Sequence, residues 1–468
     1  MTNKQTLSNV NTLIAQSVLF GAGETGFQRV HSDTRSIQAG DLFVALKGDR
    51  FDGNDYLVQA RSQGAAAALS SSATKLTGSG LPGIVVEDTR LALGELAGAW
   101  RRQFSLELIA VTGSNGKTTV TQMVAAILRA FRPKGYWATA GNFNNDIGLP
   151  LTLLGLRSQH ECAVVEIGMN HPGEIEVLTR LAAPTVALVN NAQREHQEFM
   201  LNVAEVAREN GKAIEQLAPN GKAVFPSMDE FTPMWRRMAT GHQVVDFALS
   251  DPAAAVHCVE YTWTGRVWKM VVNTPSGDLS YELGIAGLHN AINSLAAVAC
   301  ACAAGVPLGA IAEGLTSFEP VKGRSKTQFI HVQGRQVVLI DDTYNANPDS
   351  VRAAIDALKG LPAPHLLVLG DMGEVGEKGP EFHTEVGSYA KSQGIEQVMT
   401  FGLLSRGVQL GFGGVDHFQD IESLNVGVLS RAQACNSILI KGSRFMKMER
   451  VVEFLLAQAP VSKGVSCS

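Results

Sequence analysis

Val111-Thr112-Gly113-Ser114-Asn115-Gly116-Lys117-Thr118-Thr119 joins an apolar, strand-like run (106–111) to a helix-like run (118–131). A strand, a glycine turn and a helix in that order make a cradle for phosphate. Glycines at 113 and 116 have no Cβ and tolerate positive φ, so backbone N–H groups can curl toward an anion. The helix start adds unpaired N–H groups and the positive end of its dipole. Lys117 contributes a point charge, and the Thr118 hydroxyl suits Mg²⁺. The stretch reads as a phosphate-binding loop for a nucleoside triphosphate, formed by Gly113, Ser114, Asn115, Gly116, Lys117, Thr118 and Thr119. It is a short one, with two residues between its glycines where the usual motif has four. An ordinary glycine-rich turn is the plain alternative, and the flanking strand and helix count against it.

Outward from the loop, the chain organises as α/β. Its 468 residues suggest three domains of roughly 150 residues each. Residues 1–104 read as a small α/β N-terminal domain, with strands at 41–46, 64–69 and 83–87 and a helix at 89–104. Residues 105–320 read as a central P-loop-type domain with a mostly parallel sheet. Its strands fall at 106–111, 162–166, 185–190 and 222–225, with helical segments between them. Alternation over 257–283 predicts an antiparallel hairpin region turning near Pro275 to Asp278, and a long helix follows at 289–304. Residues 321–468 read as a Rossmann-like C-terminal domain. Its strands fall at 336–341, 365–370, 397–401 and 437–441, and its helices near 348–359, 380–393 and 446–458.

Composition limits the function. The chain is 45% hydrophobic and 18% charged, with a formal net charge of −5. A soluble globular protein fits these values, and a nucleic-acid footprint, which needs a basic face, does not. The six cysteines are scattered, as expected of reduced thiols in a cytoplasmic protein. The apolar run 295–312 contains Gly305 and Pro307, which suits a buried helix and a turn better than a membrane span. A monomer is expected, with no membrane insertion.

Other polar groups fall at strand ends. Glu166 ends the run 162–166, at the sheet edge where the phosphate loop also lies and where open α/β sheets bind ligands. It is placed to hold Mg²⁺, directly or through water, or it is a solvated strand-end acid. Asn190, Asn191 and His196 follow the next strand. Asp33, Thr34 and Arg35, with Lys47, could grip a phosphate-bearing ligand or form a cap and a surface turn. Asn142, Asn144 and Asn145 cluster carboxamides suited to sugars, peptides or amides, although turns use asparagine too. In the last unit Asp341 to Pro348, Gly370 to Glu374 and Lys441 to Arg444 each follow a strand. These three polar loops would face the phosphate loop if the two sheets closed on each other about a hinge near 320–324.

Taken together, the motifs resemble the Mur ligase family over essentially the whole chain. Thr112-Gly113-Ser114-Asn115-Gly116-Lys117-Thr118 is similar to that family's short loop, and Gly287 to Asn293 resembles its adenine-side helix start. Asp33 to Arg35 with Gly40 to Gly48, Thr139 to Gly148, Asp341 to Pro348 and Lys441 to Arg444 resemble the family's last cytoplasmic peptide ligase. The resemblance implies ATP-dependent joining of D-alanyl-D-alanine to UDP-N-acetylmuramoyl-tripeptide through an acyl phosphate. It implies ATP held by the loop and by Asn290, Asn293, Asp342 and Arg324. Mg²⁺ would lie on Thr118, Glu166 and His196. The UDP-sugar would lie on Asp33, Thr34, Arg35, Lys47, Asn142, Asn144 and Asn145, and the dipeptide near Tyr344, Asn345 and Asn347. Lys117, Glu166, His196 and Arg324 would carry the chemistry. Many family members have a carbamylated lysine where this chain has Asn210, and Lys212, two residues on, points to another helix face.

Two other classes fit less well. A nucleotide switch would need a base-reading motif such as Asn-Lys-x-Asp, which is absent from the sequence, and would leave the last unit's polar loops without a purpose. A folylpolyglutamate synthetase would not need a first domain built for a UDP-sugar.

Overall fold

The structure, a computed structural model, describes residues 5–195 and 198–459. His196 therefore lies outside the described residues, as does Cys467. The five other cysteines are free thiols. Three α/β units follow one another along the chain.

The central sheet has six strands in the order Gln243–Val244, Lys222–Val224, Val186–Val189, Glu107–Thr112, Cys162–Glu166, Tyr136–Ala138. All its pairings are parallel. Its inner strands are near-continuous apolar runs because helices cover both faces. Val111 lies opposite Glu166, and Thr112 opposite Val189. This register sets the phosphate loop, Glu166 and Asn190 side by side at one edge. The predicted hairpin region is three antiparallel strands, Val256–Trp263, Trp268–Thr274 and Gly277–Leu283. They pack with the helices Lys117–Phe131 and Leu288–Ala303 in one apolar cluster.

The last sheet also has six strands: Lys326–Val332, Arg335–Asp342, Ser437–Lys441, His365–Gly370, Gln397–Phe401, Asp416–Phe418. Only the first pairing is antiparallel. Asp342 lies opposite Lys441, and Lys441 opposite Leu369, so the three polar loops open on the same edge. The first unit has a five-stranded sheet, with Arg29–His31 parallel to Asp41–Val44 at one side.

The interfaces between units differ in kind. One apolar cluster runs from Leu7 and Leu42 in the first unit through Leu93 and Trp100 to Val165, Ile175 and Trp235 in the central one. The last unit has its own clusters on the two faces of its sheet. Among the described residues, Ala286 and Trp263 are the two of the central unit that join one of them.

The strand Lys326–Val332 and the helix Ile421–Ala432 were not read from the sequence. The strand is an edge strand with mixed polar residues, mostly half-buried, so it lacks the apolar run that marked its neighbours. The helix has hydrophobic and polar residues on several sides and only four buried residues, which leaves a weak stripe.

Candidate active site

A cleft of about 930 Å³ lies between the facing edges of the central and last sheets. The phosphate loop forms its floor. Gly113 has φ +122° and Gly116 has φ +81°. A Cβ at Gly113 would meet the backbone nitrogens of Asn190 and Asn191 at 3.0 Å, and one at Gly116 would come within 2.5 Å of Asn293 Oδ1. Only glycine satisfies both the angle and the space at these positions.

The loop is held from below by amides. Gly113 N–H donates to Asn210 Oδ1 at 2.8 Å, Ser114 N–H to Asn191 O at 3.1 Å and Asn115 N–H to Asn191 Oδ1 at 2.9 Å. The Ser114 hydroxyl accepts from Gln193 N–H at 2.8 Å. The Lys117 ammonium donates to Gly113 O at 2.5 Å, Ser114 O at 3.0 Å and Glu195 Oε2 at 3.1 Å. These bonds fix the ammonium against the loop it follows.

Asn210, 1% exposed, sits on the helix Val203–Glu215 and also donates to Val206 O at 3.0 Å. Lys212 points elsewhere and pairs with Glu215. Asn210 is thus a strut under the first glycine. Asn210→Ala should leave a buried N–H without a partner, at about 1–3 kcal/mol. The expected result is a fall of several degrees in melting temperature; an unchanged melt would show that the strut is idle.

Glu166 is 2% exposed. Its Oε1 accepts from Asn144 Nδ2 at 2.7 Å, and its Oε2 is buried with no hydrogen-bond partner among the described residues. A buried carboxylate oxygen without a donor is costly unless a cation or water meets it. Thr118, also nearly buried, accepts from Arg324 Nη2 of the last unit at 3.1 Å. The described residues contain no cluster of three or more His, Cys, Asp or Glu groups around one point. Few protein ligands beside a phosphate loop fit Mg²⁺, which keeps waters and takes phosphate oxygens.

Across the cleft, Arg324 stacks 3.8 Å above the Tyr344 ring, and Arg444 lies 5.9 Å from it. Asn347 Nδ2 donates to Asn115 Oδ1 at 2.9 Å. Asp342 is flanked by Lys441 and accepts from Ser325 N–H at 3.0 Å. Burial, the largest single influence, pushes the Asp342 carboxyl up, but the Lys441 ammonium, His289 and the Ser325 N–H together hold the pKa below the usual carboxylate range. Lys441 also donates to Asn345 O at 2.9 Å. Burial lowers the pKa of the neighbouring His289. Asn290 donates to Ala286 O at 2.7 Å and accepts from Asn293, whose Oδ1 accepts from Asn190. This amide chain runs from the helix start Leu288–Ala303 to the phosphate loop.

The structure brings together Lys117, Thr118, Glu166, Asn142, Asn144, Asn145, Asn290, Asn293, Arg324, Asp342, Tyr344, Asn345 and Asn347 on this cleft. Asp33, Thr34, Arg35 and Lys47 do not line it. They lie at the C-terminal ends of the strands Arg29–His31 and Asp41–Val44. There Arg35 hydrogen-bonds Asp33 and holds its carboxyl down to about 2. Asn145 Oδ1 accepts from Gly148 N–H at 2.9 Å, just ahead of the first turn of the helix Gly148–Leu154. Sequence reasoning did not single out Gln193, Arg194 or Glu195, whose partners are distant in the chain. Its one available signal was their place in a strand-end loop beside Asn190 and Asn191.

A phosphate loop, a carboxylate with an open oxygen and a second domain's Arg324 on the loop's own Thr118 define an enzyme that handles a nucleoside triphosphate between two domains. The domains match by sequence as well: residues 27–101 as Mur ligase family, catalytic domain, 111–301 as Mur ligase middle domain and 327–444 as Mur ligase, glutamate ligase domain. The chain belongs to the Mur ligase family. It is 38% identical over 452 residues to the UDP-N-acetylmuramoyl-tripeptide–D-alanyl-D-alanine ligase of Escherichia coli (strain K12), covering 96% of this chain and 98% of that protein. The crystal structure of MurF from Acinetobacter baumannii superposes with a TM-score of 0.89 at 32% identity, covering 97% of this chain and 99% of that one. The MurF ligase of Thermotoga maritima, solved in complex with ADP, gives 0.80 at 26% identity, covering 92% and 97%. Among the described residues no helix is long and apolar enough to cross a membrane.

Proposed function

We propose that this ligase adds D-alanyl-D-alanine to UDP-N-acetylmuramoyl-tripeptide at the expense of ATP, in cytoplasmic peptidoglycan precursor synthesis. The contacts that support a site between two domains are Arg324–Thr118 and Asn347–Asn115, which bring the last domain onto the phosphate loop, and the substrates follow from the likeness to the D-alanyl-D-alanine ligase over 96% of this chain.

A carboxylate is a poor electrophile, so the tripeptide's terminal carboxylate must first be activated. Its oxygen attacks the γ-phosphorus of ATP, the bond to the β-side bridging oxygen breaks, and ADP leaves. The neutral amine of the dipeptide then attacks the acyl carbon. The tetrahedral intermediate expels phosphate, the nitrogen loses its proton, and an amide remains. An α-amino pKa near 8 leaves part of the amine neutral at physiological pH.

Each residue has a part in this scheme. The N–H groups opening the helix Lys117–Phe131 meet the β- and γ-phosphates, since the amides of Gly113, Ser114 and Asn115 are engaged below, and Lys117, whose ammonium rests on the loop carbonyls and Glu195, adds its charge beside them. Arg324 meets the transferring phosphoryl group, offsetting charge as it develops. Asn290, Asn293 and Asp342 serve the nucleoside, and Tyr344, Asn345 and Asn347 the dipeptide. Asn142, Asn144 and Asn145 serve the sugar and peptide. Asp33, Thr34, Arg35 and Lys47 hold the distant UDP end, which suits a substrate long enough to reach from the first domain into the cleft. Thr118, Glu166 and His196 would hold Mg²⁺, whose charge would neutralise phosphate oxygens.

Phosphate release is expected only when ATP, UDP-N-acetylmuramoyl-tripeptide and D-alanyl-D-alanine are all present, measured by omitting each in turn. Rapid release with ATP alone would favour a nucleotide switch and defeat this reading.

A further inference from the structure

The loop after the strand Val186–Val189 faces two ways. Asn191 and Gln193 grip the phosphate loop, as described. Arg194, next along, reaches the last domain. Its backbone N–H donates to Asp349 Oδ2 at 2.9 Å, and its guanidinium to the same carboxylate at 2.6 and 3.1 Å. The other side of the guanidinium donates to Glu385 at 2.7 and 3.0 Å. The two carboxylates stand on separate helices, Pro348–Lys359 and Gly379–Ser392. Arg352 closes the set by pairing with Glu385 at 3.0 Å. The Phe382 ring lies 5.3 Å from the Arg194 guanidinium.

Among the described residues, the ion pairs that join the central and last domains are those of Arg194. Arg194 and Asp349 are about four-fifths buried, at 22% and 23% side-chain exposure. Forked, partly buried Arg–carboxylate pairs hold geometry far better than exposed ones. The attachment points matter more than the strength. Arg194 is three residues from Asn191, which carries the phosphate loop. Asp349 is two residues from Asn347, which meets Asn115 in that loop. The pair therefore bridges the two loops that must meet around the reacting groups.

We propose that Arg194 is a positioning residue, an interdomain clasp that sets the last domain's acceptor-side loops in register with the phosphate loop. It touches no reacting atom in this scheme. Its effect is on how often, and how well, the two halves of the cleft are aligned. This reading rests on the proposed reaction only for its kinetic consequence; the clasp itself is a matter of domain arrangement.

The test uses the full chain, with Arg194→Met, Arg194→Lys, Asp349→Asn and the double variant Arg194→Met/Asp349→Asn. Small-angle scattering should show a larger radius of gyration for Arg194→Met than for the unaltered protein. The unaltered protein should keep its radius of gyration between low salt and about 0.5 M salt, because partly buried pairs are screened much less than exposed ones. Turnover of Arg194→Met should fall about tenfold while the KM for ATP changes by less than about twofold. Arg194→Lys should recover part of the loss, and the double variant should be no worse than the single, because both remove the same interaction. Unchanged scattering and turnover in a folded Arg194→Met would overturn the proposal, as would fully additive losses in the double variant. If scattering responds as expected while the unaltered protein fails to ligate the dipeptide, the substrate assignment fails and the clasp stands.

Discussion

Lys117→Ala should lower ligation by about 10²–10³-fold, the scale for removing one preorganised group that meets developing charge. The ammonium sits against the carbonyls of Gly113 and Ser114 and the Glu195 carboxylate, so its place at the phosphates is fixed in advance. Alanine removes that charge while leaving the loop's struts, Asn191 and Asn210, in place. Melting temperature should fall by several degrees, because Gly113 O, Ser114 O and Glu195 Oε2 each lose a donor, while the variant stays folded and turnover collapses; the two should be measured on the same preparation. Near-normal turnover in a folded variant would remove the nucleotide from this end of the cleft.

Glu166→Gln is expected to raise the Mg²⁺ concentration needed for half-maximal activity by on the order of tenfold, as a charged ligand gives way to a neutral one. The substitution keeps the shape of the side chain and can keep the contact with Asn144. The change should therefore fall on the oxygen that has no hydrogen-bond partner among the described residues. A magnesium titration followed by phosphate release reads it directly. A superimposable titration curve would make Glu166 a strand-end acid held by Asn144 and nothing more.

Local signals were legible in the sequence, and long-range ones were not. The phosphate loop was readable because its glycines, its lysine and its flanking strand and helix are contiguous. The strand-end position of Glu166 and the three polar loops of the last domain followed from the same alternation of apolar runs and turns. That they meet across one cleft was conditional on domain closure, and the Arg324–Thr118 and Asn347–Asn115 contacts meet that condition. The amide struts are a different matter. Asn210 meets Gly113 across 97 positions and Arg194 meets Asp349 across 155, and no periodicity marks a pair so far apart. The same holds for the split of the site. Asp33 and Arg35 read as one more polar cluster, and only the fold shows that they sit away from the cleft.

The contrast between the two domain interfaces has a consequence for denaturation. An apolar cluster shared by the first and central domains couples their melting, because neither can expose its half without stripping the other. The last domain closes its own clusters on both faces of its sheet, with a small corner at Ala286 and Trp263, and otherwise meets its neighbour through charged and amide side chains. Water can replace such contacts at little cost. The chain accordingly divides into two cooperative blocks rather than three, residues up to about 320 in one and the remainder in the other. Partial unfolding would release the carboxyl-terminal block whole, while the phosphate loop stayed built on the block that remains.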